Sequence, residues 1–255
     1  MTITDTHTHL YSELFDADRD LIIDKAIKLG ITRFFIPAID STHTGPMLHL
    51  ERAYPENVFL MMGLHPTSVK ENYREELEHV EEMLGSRKFI AIGETGIDLY
   101  WDKSFLQEQK TAFRQQIYWA KKYNYPVVIH CREGFDEIFD ILESEKGDDL
   151  FGIFHCFTGN LEQAKKAISY NMKLGIGGVV TFKNGKIDAF LDKIDIKHLV
   201  LETDSPYLAP APYRGKRNES TYLVHVLEKV AAIYGKDVAE VAAITTANSR
   251  EVFGI

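Results

Sequence analysis

The chain has 255 residues, a length at which a closed α/β barrel commonly runs as one domain. Hydrophobic residues make up 45% and charged residues 26%, which allows a sizeable core and excludes bulk disorder. The net charge of -9 excludes attraction to nucleic acid or anionic membrane by the overall field, so a phosphorylated substrate would have to be drawn by a metal or a small basic patch.

In chain order, short apolar, β-branched or aromatic runs predict strands near Ile3 and over residues 33–37, 58–63, 89–93, 127–130, 152–155, 172–176 and 198–202. Amphipathic stretches lie between them. Leu21, Ile22, Ile23, Ala26, Ile27 and Leu29 form one helical apolar face. Phe105, Leu106, Phe113, Ile117 and Ala120 form another, with Lys121 and Lys122 in a last turn. Ile138, Phe139, Ile141 and Leu142, then Ala164, Ala167 and Ile168, continue the series, and two helices over 222–234 and 237–253 close the chain.

Strand and helix thus alternate eight times, which predicts a parallel α/β sheet closed as a (β/α)8 TIM barrel over residues 1–255, one domain. An open doubly wound sheet is the alternative. The longest irregular segment is 205–220, with Pro206, Pro210, Pro212 and Gly215, and a loop of that length points to function. Cys131 and Cys156 cannot build a disulfide framework, which fits a reducing cytoplasm. The N-terminus has no basic start or apolar signal core, and no apolar run reaches the roughly 18 residues needed to span a bilayer. A cytoplasmic protein without a membrane partner is expected. The sequence does not set its oligomeric state, and a monomer is compatible with it.

The first strand runs into Asp5-Thr6-His7-Thr8-His9-Leu10, and extended geometry would put His7 and His9 on one side, where two imidazoles can grip one metal ion. Glu94 ends the fourth strand, His130 the fifth, His155 the sixth and Asp204 the eighth. In a parallel barrel these carboxyl ends meet at the face that carries the active site. Burying so many ionisable groups together without a metal would be costly. Four imidazoles and two carboxylates exceed the demand of one catalytic zinc and suit two divalent ions with one bridging carboxylate. The nitrogen and oxygen donors do not distinguish Mg, Mn, Zn or Ni.

These motifs resemble the TatD family of metal-dependent hydrolases and deoxyribonucleases, within the amidohydrolase-like barrels. The matching pieces span nearly the whole chain. They are Asp5-Thr6-His7-Thr8-His9-Leu10, Gly63-Leu64-His65-Pro66, Gly93-Glu94-Thr95-Gly96-Ile97-Asp98, His130-Cys131-Arg132, His155-Cys156-Phe157-Thr158-Gly159, Glu202-Thr203-Asp204-Ser205-Pro206 and Arg214-Gly215-Lys216-Arg217-Asn218. The resemblance implies one metal on His7, His9 and Asp204, a second on His130 and His155, and Glu94 as the bridge. It also implies phosphodiester cleavage in DNA, often exonucleolytic. Two departures stand out. Asn218-Glu219 is followed by Ser220 rather than carrying the family's Pro after the Asn, and Gly134 takes a place commonly held by Ala.

Around this centre, His65 is read either as donating to a phosphate oxygen or orienting a substrate, or as a histidine that caps its turn, and Arg132 either as a bidentate guanidinium grip on phosphate or in an ion pair with Glu133 or Asp136. Glu202 shares a strand face with Asp204. It is read either as orienting a histidine or, like Asp204, as the proton acceptor. Asp98 is a further orienting candidate. Arg214, Lys216 and Arg217 supply the patch a net-acidic nuclease would need. Tyr207, Tyr213, Tyr100 and Trp101 either stack on bases or pack their loops down. The cysteines are expected to face the helices as apolar fillers. Gly175, Gly177 and Gly178 form either a phosphate-cradling turn or a place of close backbone packing. The reading that follows is a two-metal deoxyribonuclease. Its rivals are a metal-dependent amide or ester hydrolase on a small substrate and a non-catalytic binding barrel. Barrels of the first rival kind often bridge their metals with a modified lysine on strand four, where this chain has Glu94.

Overall fold

Runs of four to six apolar residues bounded by polar turns are too short for helices and settle as strands, and the longer amphipathic stretches lay one face over them. In the computed structural model, which describes residues 1–255, the order is β1 (Ile3–Asp5), α1 (Arg19–Lys28), β2 (Ile31–Ile36), α2 (Thr44–Ala53), β3 (Val58–Leu60), α3 (Tyr73–Ser86), β4 (Ile92–Asp98) and α4 (Leu106–Tyr123). The second half continues with β5 (Val127–Arg132), α5 (Phe135–Glu145), β6 (Gly152–Phe154), α6 (Leu161–Ser169), β7 (Met172–Ile176), β8 (Leu199–Leu201), α7 (Leu223–Tyr234) and α8 (Val238–Phe253).

All strand pairs are parallel, in the ladders β1-β2-β3 and β4-β5-β6-β7-β8. Single hydrogen bonds join the ladders at both seams. Ile90 N donates to Leu60 O at 2.9 Å and Met62 N to Ala91 O at 3.1 Å. On the other side Thr6 N donates to Leu201 O at 3.0 Å and Asp204 N to His7 O at 2.9 Å. The result is the expected (β/α)8 barrel. Alternation along β2 shows its two layers: Phe34 and Ile36 join the large core between strands and helices, while Phe35 joins Met61, Val128, Ile153 and Val200 in a smaller cluster. Phe253, at the end of α8, stacks on Phe35 at 4.0 Å and closes the barrel at the end where the strands begin. The end where they finish is left for a site.

Three expectations change. β4 is shifted from 89–93 to Ile92–Asp98 and carries Glu94 inside the strand rather than after it. α2 and α3 were not predicted. Between β7 and β8 the chain forms a string of 3-10 turns, Gly178–Thr181, Lys186–Ala189, Leu191–Lys193 and Ile196–His198, instead of an α-helix. The irregular segment after β8 is pinned by buried Asn218, whose Nδ2 donates to Thr203 O at 2.7 Å and Tyr207 O at 2.6 Å. No helix is long and apolar enough to cross a membrane.

Candidate metal centre

The strand ends bring the six sequence-predicted residues together around Glu94, which is buried at 2% exposure. Its Oε2 faces the β1 side, 3.0 Å from His7 Nε2 and 3.9 Å from His9 Nε2. Its Oε1 faces the other side, 2.7 Å from His130 Nδ1, 2.8 Å from His155 Nε2 and 3.2 Å from His65 Nε2. Asp204 Oδ1 completes the β1 side, 3.5 Å from His9 Nε2 and 3.8 Å from His7 Nε2. Three overlapping sets, His7/His155/Asp204, His7/His9/Glu94 and His65/Glu94/His130, each offer donor atoms within 4.8 Å of one another.

These donors fit a cation. A carboxylate oxygen has two lone pairs, yet Glu94 Oε1 lies within 3.2 Å of three imidazole nitrogens. His130 Nε2 meets Asp98 Oδ2 at 2.9 Å and its Nδ1 meets Glu94 Oε1 at 2.7 Å, an arrangement that needs either a doubly protonated ring or a cation between Nδ1 and the carboxylate. His65 Nε2 and His155 Nε2 crowd that Nδ1 at 3.2 and 3.4 Å. The buried Nδ1 atoms of His7 and His155 lack a hydrogen-bond partner. Imidazole nitrogens and carboxylates crowded in this way are stable around a positive ion, and a mixed set of these donors suits a divalent transition metal or Mg.

The electrostatics agree. Burial pushes the Glu94 carboxyl upward, but His155, His65 and His7 outweigh it and hold the group well below the ordinary carboxylate range. Burial likewise opposes Asp204, which its contact with His9 and the charges of His155 and His7 keep low. Both carboxylates are therefore ionised and ready to bind. Burial holds His7 and His65 below the usual histidine value, whereas at His130 and His155 the neighbouring carboxylates outweigh burial and raise the ring, His155 well above that value.

Behind the inner groups stands a second set that fixes them. Glu202 is fully buried. Its Oε1 accepts from Cys156 N at 2.6 Å and lies 3.4 Å from His155 Nδ1. It does not line the cleft, whereas Asp204 does. Asp98 binds His130 and also accepts from Tyr100 N at 3.0 Å and Trp101 N at 3.3 Å. Two members went unread in the sequence. Tyr11 holds His9 Nδ1 through its hydroxyl at 2.9 Å. Asp5 accepts from Thr203 N at 2.9 Å and Thr203 Oγ1 at 2.7 Å, tying β1 to the residue before Asp204, and burial pushes its carboxyl up to about 7. The signal for Asp5 was its place in the Asp-Thr-His-Thr-His run; nothing in the sequence marked Tyr11.

Other expectations are corrected. His65 takes the turn-capping place, its Nδ1 accepting from Thr67 N at 3.1 Å, which leaves the proton of a neutral ring on the Nε2 that faces Glu94 Oε1 at 3.2 Å, inside the centre rather than out where a phosphate would lie. Arg132 pairs with neither Glu133 nor Asp136; its guanidinium lies 3.7 Å over the Tyr100 ring. The basic loop is largely engaged elsewhere. Arg217 grips Asp18 at 2.6 and 2.9 Å, and Arg214 stacks 3.6 Å over Phe182. None of Arg214, Lys216 and Arg217 lines the cleft. Cys131 and Cys156 are half-buried and border the cleft, contrary to the alternation argument; at Cys156 a φ of 42° breaks the strand pattern. Gly175 answers to close packing: a Cβ there would sit 2.2 Å from Glu202 Oε2 and 3.1 Å from His155 Cα. Gly175→Ala should therefore displace Glu202 and weaken metal binding about 10–100-fold, as loss of an outer-shell partner does. A metal titration checks this, and unchanged affinity in a folded variant would refute it.

The centre sits at the floor of a cleft of about 1650 Å³, whose walls include His43, Trp101, Arg132, Tyr207 and Leu208. The family model for TatD related DNase matches residues 4–254. The chain is 37% identical over 252 residues to an uncharacterized metal-dependent hydrolase, YabD of Bacillus subtilis, covering 98% of each chain. It is 30% identical to the 3'-5' ssDNA/RNA exonuclease TatD of Pectobacterium parmentieri, again covering 98% of each. The crystal structure of YJJV, a TatD homolog from Escherichia coli, superposes with a TM-score of 0.93 at 26% identity, over 99% of this chain and 98% of that one.

Proposed function

The chain belongs to the TatD related DNase family, and from that membership we propose that it hydrolyses phosphodiester bonds in single-stranded DNA, from strand ends, with two divalent metal ions. The observation that carries the reading is Glu94, whose two oxygens face separate sets of imidazoles. On the first side His7, His9 and Asp204 would hold one ion. On the second, His130 and His155 would hold the other, with His65 within reach of the same place. When bound, such a pair lowers the pKa of a water and polarises the phosphoryl oxygens.

The protein's own groups do the rest. Asp204 borders the cleft and takes the proton of the attacking water on the carboxylate oxygen that does not meet His7 and His9. Arg132, whose guanidinium lies 3.7 Å over the Tyr100 ring, would present its N–H groups to the phosphate. Asp98 and Tyr11 hold His130 and His9 by hydrogen bonds, and Glu202 places its charge 3.4 Å from His155 Nδ1.

The test gives the purified protein, loaded with Mn²⁺ or Mg²⁺, a single-stranded oligonucleotide, a generic phosphodiester and a panel of amides and lactones. Shortening of the oligonucleotide from one end is the expected result. Turnover of amides or lactones alone would replace this reading with that of a small-molecule amide or ester hydrolase.

A further inference from the structure

Most large apolar side chains that the fold leaves exposed lie away from the site, such as Leu21, Leu29 and Tyr118. Leu14, Leu208 and two aromatic rings do not. Trp101 is 69% exposed and Tyr207 is 55% exposed, and both line the cleft. Their placement follows from the barrel. Trp101 comes just after β4 and Tyr207 after β8, and strands four apart in a ring of eight stand on opposite sides.

Each ring is also anchored to its own half of the centre. Trp101 N donates to Asp98, whose carboxylate holds His130 on the Oε1 side of Glu94. Tyr207 N donates to Asp204 O at 2.8 Å, and its ring meets His9 edge-on at 5.8 Å, on the Oε2 side. Asn218 clamps the Tyr207 carbonyl at 2.6 Å. The rings are thus fixed at the backbone while most of their surface is bare. Loop packing does not explain them; Tyr213 shows what that looks like, stacked on Tyr222 at 3.9 Å with the rings 3° apart.

We propose that Trp101 and Tyr207 are two base-stacking platforms that hold one unpaired nucleobase on each side of the scissile phosphate. This rests on the phosphodiesterase reading above. A phosphate lying over Glu94 and within reach of Arg132 has one nucleoside directed to each rim of the cleft, and the guanidinium beside Trp101, 5.4 Å from its ring, matches the charge of the backbone there. Stacking on aromatic rings accepts any base, because every base has a π-face, and it excludes a base still paired in a duplex. The two rings therefore select single strands at the cut itself, a task the basic loop cannot perform from outside the cleft. Both are specificity-determining residues and neither handles a proton.

The experiment uses the Mn²⁺-loaded full chain and single-stranded trinucleotides with a base or an abasic sugar on either side of the cleaved bond. In the parent protein, loss of either base should cut kcat/KM by about ten- to a hundredfold, the range expected for one stacked base. In Trp101→Ala, loss of the base on one side should cost no more than about twofold, while the base on the other side keeps its full effect; Tyr207→Ala should show the mirror image. Trp101→Phe and Tyr207→Phe should restore most of the base dependence. Diester cleavage that ignores the abasic changes, or variants that stay as base-dependent as the parent, would overturn the platforms and leave the phosphodiesterase reading intact. Absence of cleavage of every diester would overturn both.

Discussion

Glu94→Gln will leave a folded barrel that loses more than about 100-fold of its activity on a single-stranded oligonucleotide and most of its bound metal. The outer-shell partners of a metal histidine are each worth about 10–100-fold, and Glu94 sends one carboxylate oxygen to each side of the centre. Glutamine keeps the shape and removes the charge. Its amide must turn an NH₂ toward either His7 or the His130/His155 pair, so one side exchanges an acceptor for a donor. The loss falls on both candidate ion positions at once, whereas His130→Ala would strip mainly the Oε1 side. Metal analysis per chain beside a rate measurement checks the claim. A Glu94→Gln protein that keeps its metal and acts within tenfold of the parent would show that the centre lies elsewhere.

How much of this was legible in sequence depended on whether the deciding partner lay nearby. β5, β6, β7 and β8 were readable because they are apolar runs with polar ends, and Met172–Ile176 was found with its own bounds. β4 was misplaced because Gly-Glu-Thr-Gly-Ile-Asp has no apolar run; it is a strand because β5 pairs with it, Ile97 beside Cys131 and Asp98 beside Arg132. α3 escaped notice because it buries only Val80 and Leu84 beneath a row of glutamates, and α2 is a short helix that carries Gly45 and Pro46 in its first turn, where proline is tolerated. Of the residues gathered at the centre, His155 and Asp204 were legible as polar groups that follow apolar runs, whereas Glu94 lies inside β4. The basic loop misled for the opposite reason: Arg217 is charged in the sequence and neutralised in the fold by Asp18, 199 residues away. Composition reveals a charge, and only the fold reveals whether that charge is free.

Removing the ions with a chelator will abolish diester hydrolysis and lower the melting temperature by about 5–10 °C relative to protein held at a hundred times the dissociation constant. The six residues run from His7 to Asp204, so no unfolded chain presents them together and binding favours the folded state alone. At that concentration one ion contributes about 2.7 kcal/mol, and a chain of this size shifts by roughly 2–4 °C per kcal/mol. The stripped centre must also hold its crowded imidazole nitrogens without a cation, which leaves the β1, β4, β5 and β6 ends less tightly bound to one another. Added Mn²⁺ should restore rate and melting temperature together, following one titration curve. In Glu94→Gln the rise in melting temperature should shrink with the rate, because the same carboxylate carries both. A chelated protein that melts where the loaded one does would mean that these donors bind no ion, and the carboxylate at their middle would then require another explanation for its burial among five histidines.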